Sequence, residues 1–255
     1  MSQYTILFYL LIFILAIGVL QSIFIGGLFF WKRTGSKRAN QFYGTLLITI
    51  GLTLLHHIFD MTHFYESYPQ LYFLPIYFTL SLPMLFFYAV KFNLYPSYQL
   101  RWTDMKHFIL PVGQWLFFVY LFFTTVDYKS GVDRHFYNPF YGAFEQFLYL
   151  TTFYAYMYFA YRYLNERQRK STDKKERPKL LYLRALLRIF FVLFCIHTIF
   201  VLADFFSYEL LDINFRTVKA YAALMALSFA ALVFWLGIYG FQVLFWGRRI
   251  FSLSS

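Results

Sequence analysis

The residues best equipped for chemistry lie on one helical register in the first quarter of the chain. Thr45, Thr49, Thr53, His56, Asp60 and His63 follow one another at intervals of four, four, three, four and three. Five steps over 18 residues average 3.6, the period of an α-helix. One face of that helix is therefore polar along its length, while the others carry Leu, Ile and Phe. At its far end His56, Asp60 and His63 share the face with His57 beside them, and two imidazoles with a carboxylate are a first ligand set for Zn, Fe or Mn. The same groups could take up a proton or a small ligand, because histidine changes charge near neutral pH, or they could join a structural hydrogen-bond network. Further along, Glu145, Tyr149, Thr152 and Tyr156 step by four, three and four, and His197 and Asp204 lie seven apart.

The elements that must hold these groups are apolar. Of 255 residues, 60% are hydrophobic and 25% aromatic, and only 14% are charged, where a soluble domain carries about a quarter. That composition excludes a water-soluble fold, so a polar helix face must turn into a bundle or line a watery cavity. Apolar runs cover about 5–31, 40–63, 71–93, 107–126, 140–162, 182–206 and 217–242. Each is long enough to cross about 30 Å of hydrocarbon. The expected fold is all-α: one polytopic domain over 1–255 with seven transmembrane helices. No basic segment precedes the first run and no small-residue cleavage site follows it, so it reads as a retained helix. With Cys195 as the single cysteine, an intramolecular disulfide and thiolate metal sites are excluded. Nor is there a Gly-rich phosphate loop or a nucleophile elbow.

Charge orients the bundle. Of 23 basic residues, 19 fall in connections on one side and four (Lys129, Arg134, Arg216 and Lys219) on the other, which predicts an outer N-terminus and a cytoplasmic C-terminus. Trp31, Trp102 and Trp246 fit the cytoplasmic interface. Acids run the opposite way, eight outer against four inner, and all histidines except His107 are outer or mid-membrane. An outer-half polar cavity formed by His56, Asp60, His63, Glu145, His197 and Asp204 is therefore the expected site. The net charge of +11 follows from topology, and direct nucleic-acid binding is not expected. The basic loop 163–181, with Arg167, Arg169, Lys170, Lys174, Lys175 and Arg177, is expected to meet lipid headgroups or a protein partner. Ala222, Ala226 and Ala230, spaced by four, allow close approach of a neighbouring helix, within the chain or across a homodimer.

Several stretches carry a resemblance: Gln21 and Phe24 late in the first run, KRTGSKRANQF with Asn40, LSLPMLFFYAVKF, LRWTDMKHFILP and WLGIYGF. Together they are similar to the N-terminal membrane module of Bacteroidetes AraC-type transcriptional regulators. Pro83 and Tyr88 match the third helix of that family, with Leu82 where a glycine is usual. Asp104, His107 and Pro111 match the start of its fourth helix, with the proline one residue further from the histidine. The resemblance implies a seven-helix sensory module in a bacterial inner membrane. Those regulators continue into a helix-turn-helix DNA-binding domain, whereas this sequence ends at FSLSS, so the expected output is a protein partner in trans. The expected function is sensing of a small ligand, ion or proton. Two alternatives use the same sequence: a metal-dependent membrane enzyme or ion pathway built on His56, Asp60 and His63 with Glu145, and a structural subunit of a larger membrane complex.

Overall fold

The computed structural model describes residues 3–33, 35–171, 176–211, 213, 215 and 218–245, the side chains of 3–5, 139, 209 and 210 excepted. Among them all regular structure is helical and no strand occurs. The helices are α1 (Gln3–Trp31), α2 (Lys37–Met61), the single turn α3 (Phe64–Ser67), α4 (Leu82–Leu94), α5 (Ile109–Phe122), α6 (Val126–Val132), α7 (Gly142–Lys170), α8 (Arg177–Leu211) and α9 (Lys219–Phe245). Five stretches are long and apolar enough to cross a membrane: Ile6–Trp31, Lys37–Met61, Trp102–Phe122, Arg177–Tyr208 and Lys219–Phe245.

The other two expected spans take different forms. The third apolar run does not make one helix over 71–93. Residues 72–78 are irregular, with Phe73 left-handed at φ 60°, and a 3₁₀ turn at Thr79–Ser81 leads into α4. Pro83 sits in the first turn of α4, where its missing N–H breaks no helical bond. With 13 residues, α4 is about 20 Å long, short of the hydrocarbon thickness. From residue 142 on, the fifth run belongs to the 29-residue α7, whose tyrosines, threonines and charged residues leave it less apolar than the five stretches above. The basic loop expected over 163–181 is also mostly helix, because α7 continues to Lys170 and α8 begins at Arg177. Glu166 and Lys170, one turn apart and 2.6 Å from contact oxygen to nitrogen, support that extension beyond the apolar run.

Five long helices and the short α4 close a ring in the order α1, α2, α4, α7, α8, α9 and back to α1, with α2 also meeting α9. Twelve of the 13 residues of α4 are buried, so protein rather than lipid surrounds this short helix. Its Phe86 stacks on Phe190 of α8, and Tyr88 and Phe92 are sealed from solvent. α1 and α2 meet at Gly26 and Gly44, where a Cβ on either would stand 2.8 Å from the other's carbonyl oxygen. Only glycine lets the two backbones approach that closely. In the alanine stripe of α9, Ala226 and Ala230 are buried within the chain. α5 is peripheral: it lies against the 3₁₀ turn Thr79–Ser81 and leaves Ile109, Val112, Trp115, Leu116 and Tyr120 exposed on its outer face.

Candidate functional site

The break before α4 exposes backbone amides that a continuous helix would satisfy. In hydrocarbon each bare amide costs several kcal/mol, so irregular backbone survives there only against protein partners. Two side chains supply them: Phe78 N–H donates to Thr53 Oγ1 at 3.1 Å, and Leu80 N–H to Gln114 Oε1 at 3.1 Å. Thr53 belongs to the polar stripe of α2, and its own hydroxyl proton goes to Thr49 O at 2.9 Å. Part of the stripe therefore caps a broken helix instead of facing a cavity.

Gln114 joins this cap to a buried carboxyl. Its Nε2 donates to Thr79 Oγ1 at 2.8 Å and to Glu145 Oε1 at 2.5 Å, and Thr79 Oγ1 donates to the same Glu145 oxygen at 2.8 Å. The three residues come from α5, the turn before α4 and the first turn of α7, and they are 1%, 5% and 2% exposed in the order Gln114, Thr79, Glu145. Glu145 Oε2 is buried and, among the described residues, has no hydrogen-bond partner. An ionised carboxylate with one bare oxygen is costly in such a setting, and a proton or a cation on Oε2 would remove that cost.

The other expected residues go elsewhere. His56 is half-buried, with Nδ1 2.8 Å from Tyr65 Oη and its ring against Tyr77. His197 is buried on α8 with Nδ1 2.9 Å from Ser228 Oγ. Ser228 gives its own proton to Met225 O at 2.6 Å, so His197 Nδ1–H is the donor of this pair. The rings of His57 and His197 both rest on Phe229, at 5.3 and 5.4 Å. Asp204 is buried seven residues further along α8.

His56, Asp60 and His63 do not assemble as a metal site. α2 ends at Met61, His63 is left-handed at φ 55° beyond it, and its Nδ1 meets Glu66 Oε1 at 2.8 Å on the surface, while Asp60 is exposed. The helical spacing that aligned the three stops one residue after Asp60. Among the described residues no three His, Cys, Asp or Glu side chains gather as a metal-binding group. Thr79, Gln114, Tyr65 and Ser228 were not singled out by the sequence pattern. Gln114 had a visible signal, a lone amide in the apolar run ILPVGQWLFF, whereas Thr79 had none apart from proximity to Pro83.

The connection between α5 and α7 is tied to the segment that precedes α4. Thr125 caps α6, a nine-residue π-helical stretch Asp133–Tyr141 runs into α7, and the buried Lys129 Nζ donates to Gln70 O at 2.8 Å. Tyr72 Oη and Asn138 Nδ2 both donate to Asp133 Oδ2. Burial pushes the Asp133 carboxyl above its ordinary value, and these two donors oppose the shift.

At the basic end, Asp104 Oδ2 accepts from Tyr98 Oη at 2.7 Å and Arg101 N–H at 2.8 Å, and the buried Lys91 ammonium lies 3.7 Å from the centre of the Tyr98 ring. His107 Nδ1 is 2.6 Å from Tyr156 Oη. Arg167 meets Glu176 at 2.6 Å, which draws the Glu176 carboxyl below its ordinary range. Arg169 and Arg177 are exposed, and Lys174 and Lys175 lie outside the described residues. No family model matches the chain, and no curated protein or solved structure does so either.

Proposed function

We propose that this chain is a seven-helix module of a bacterial inner membrane, N-terminus outside, which senses a proton or small cation at Glu145 and signals through a partner protein at its basic end. The observation that carries the reading is the bare Oε2 of a carboxyl buried in the bundle, whose other oxygen is tied to Thr79 and Gln114. Loading Oε2 changes the charge on the group that anchors both the start of α4 and the middle of α5. A stimulus acts only through a difference in affinity between two arrangements, and α5, peripheral and attached at few points, is the element with room to adopt a second one. The orientation rests on the 19-to-4 split of basic residues. The sensory role agrees with the resemblance of the KRTGSKRANQF, LSLPMLFFYAVKF and WLGIYGF segments to the membrane module of AraC-type regulators.

Infrared difference spectra of the full chain in nanodiscs, recorded between acidic and mildly alkaline buffer, test this directly. The expected result is a carboxyl stretching band that responds to pH or to added cation in the wild type and is missing in Glu145→Gln. A band that is unchanged in Glu145→Gln, or no responsive band in the wild type, would overturn the reading.

A further inference from the structure

The chain that leaves α4 folds back as an irregular loop over 95–101 and, with α7, encloses an open cleft of about 700 Å³. Its walls include Tyr95, Tyr98, Leu100, Arg101 and Arg167. The charges around it do not cancel. Glu176 is matched by Arg167, Glu166 by Lys170, and Asp104 is turned inward to Tyr98, the Arg101 amide and Lys91. Arg38 donates Nη1 to the Tyr98 carbonyl at 2.8 Å, which places a guanidinium beside the cleft without neutralising it. Neither Arg38 nor Arg101 takes part in an ion pair among the described residues. Arg101 thus stands in a concave, tyrosine-walled surface without an ion-pair partner among the described residues, and the likewise unpaired Arg38 guanidinium adjoins it through the Tyr98 carbonyl.

The depth of the cleft follows from its neighbour. Trp102, next to Arg101, is 90% exposed and begins the segment that leads into the apolar outer face of α5. An indole prefers the boundary between hydrocarbon and headgroups, where its ring is buried and its N–H stays wet. Arg101 is then level with the headgroups, and acyl chains can run along Ile109, Val112 and Leu116. We infer that this cleft binds the phosphate of an acidic phospholipid headgroup, held by Arg38 and Arg101. Guanidinium suits the task because its planar donors pair with phosphate oxygens two at a time. The inference is independent of the role of Glu145.

The test uses the full chain in detergent, titrated with phosphatidylglycerol, phosphatidylcholine or inorganic phosphate while its thermal midpoint is followed. Phosphatidylglycerol is expected to raise the midpoint at lower concentration than phosphatidylcholine. Arg38→Gln/Arg101→Gln is expected to weaken that effect about 25-fold, roughly fivefold for each cation near an anionic surface, and Arg38→Lys/Arg101→Lys, which keeps the charge and loses the two-point pairing, to restore only part of it. Arg101→Gln alone, at an exposed position, keeps the test available should the double variant fold poorly, and about a fivefold weakening is expected of it. Equal effects of the two lipids, or no loss in the glutamine variants, would overturn the inference. An equal effect of inorganic phosphate would also overturn it and assign the cleft to a soluble phosphate ligand.

Discussion

α1 and α2 meet where Gly26 faces Gly44, with no room for a Cβ on either, whereas Gly113 of α5 has open space around it and the neighbouring Gln114 reaches into the bundle. The first contact is made of shape: two backbones in van der Waals reach, flanked by Leu47, Ile50 and Leu54, all fully or nearly sealed. The second is made largely of polar bonds, with the small apolar cluster of Phe73, Phe118 and Leu121 beside them. A seam of shape is indifferent to protons. A polar attachment that ends on a carboxyl is not, so one bundle can hold a fixed pair and an adjustable element at once.

The contrast can be broken most forcefully at the glycines. Gly26→Leu or Gly44→Leu drives a side chain into a carbonyl and is expected to cost about 3 kcal/mol, the upper end of overpacking penalties. Gly113→Leu is expected to change stability by less than about 0.5 kcal/mol. Thermal midpoints of the three purified variants check this, and equal losses would erase the distinction.

Next in size is Gln114→Leu. It leaves the Leu80 amide, Thr79 and Glu145 short of partners in a buried setting and is expected to cost about 2 kcal/mol. Its loss should appear as faster hydrogen exchange in 76–82 and α5, with α1 and α2 unchanged. His197→Leu should cost less, about 1 kcal/mol, because Ser228 keeps its bond to Met225 O. Thermal denaturation of that variant with unaltered exchange in α5 would confirm that the His197 node is separate from the Glu145 node.

The smallest effect concerns Asp133. A carboxyl whose folded pKa is raised contributes stability below its unfolded pKa, about 3.9, and that contribution is lost as pH rises through the folded value. Asp133→Asn should therefore flatten the decline in stability across weakly acidic pH. An unchanged slope in pH-scanned denaturation would remove Asp133 as its source.

How much of this could be read from the residues differs along the chain. α1, α2, α8 and α9 are long runs bounded by charge or turn residues, and their membrane-length character was legible as such. The break in the third run has a visible mark in Pro75 and Pro83 of LYFLPIYFTLSLP, but how its irregular backbone is satisfied was hidden, because Thr53 and Gln114 are both remote in sequence. Periodicity aligned Glu145 with Tyr149, Thr152 and Tyr156 but could not reveal that Thr79 and Gln114 would meet it. It misjudged the His56, Asp60 and His63 set because a helical register has meaning only while the helix lasts, and α2 stops at Met61. Charge likewise marked 163–181 as a loop, although ion pairing one turn apart lets charged helix ends extend into water.

The central claim is that loading Glu145 alters the hold on α5 and the start of α4 without touching the α1–α2 seam. Hydrogen exchange of the full chain in nanodiscs, at two pH values corrected for intrinsic exchange, measures this most directly, with Glu145→Gln alongside. The account predicts pH-dependent protection in 76–82 and 109–122 of the wild type, none in the variant, and constant protection in 15–30 and 40–58 of both. Equal pH dependence in all four segments, or the same response in Glu145→Gln, would contradict it.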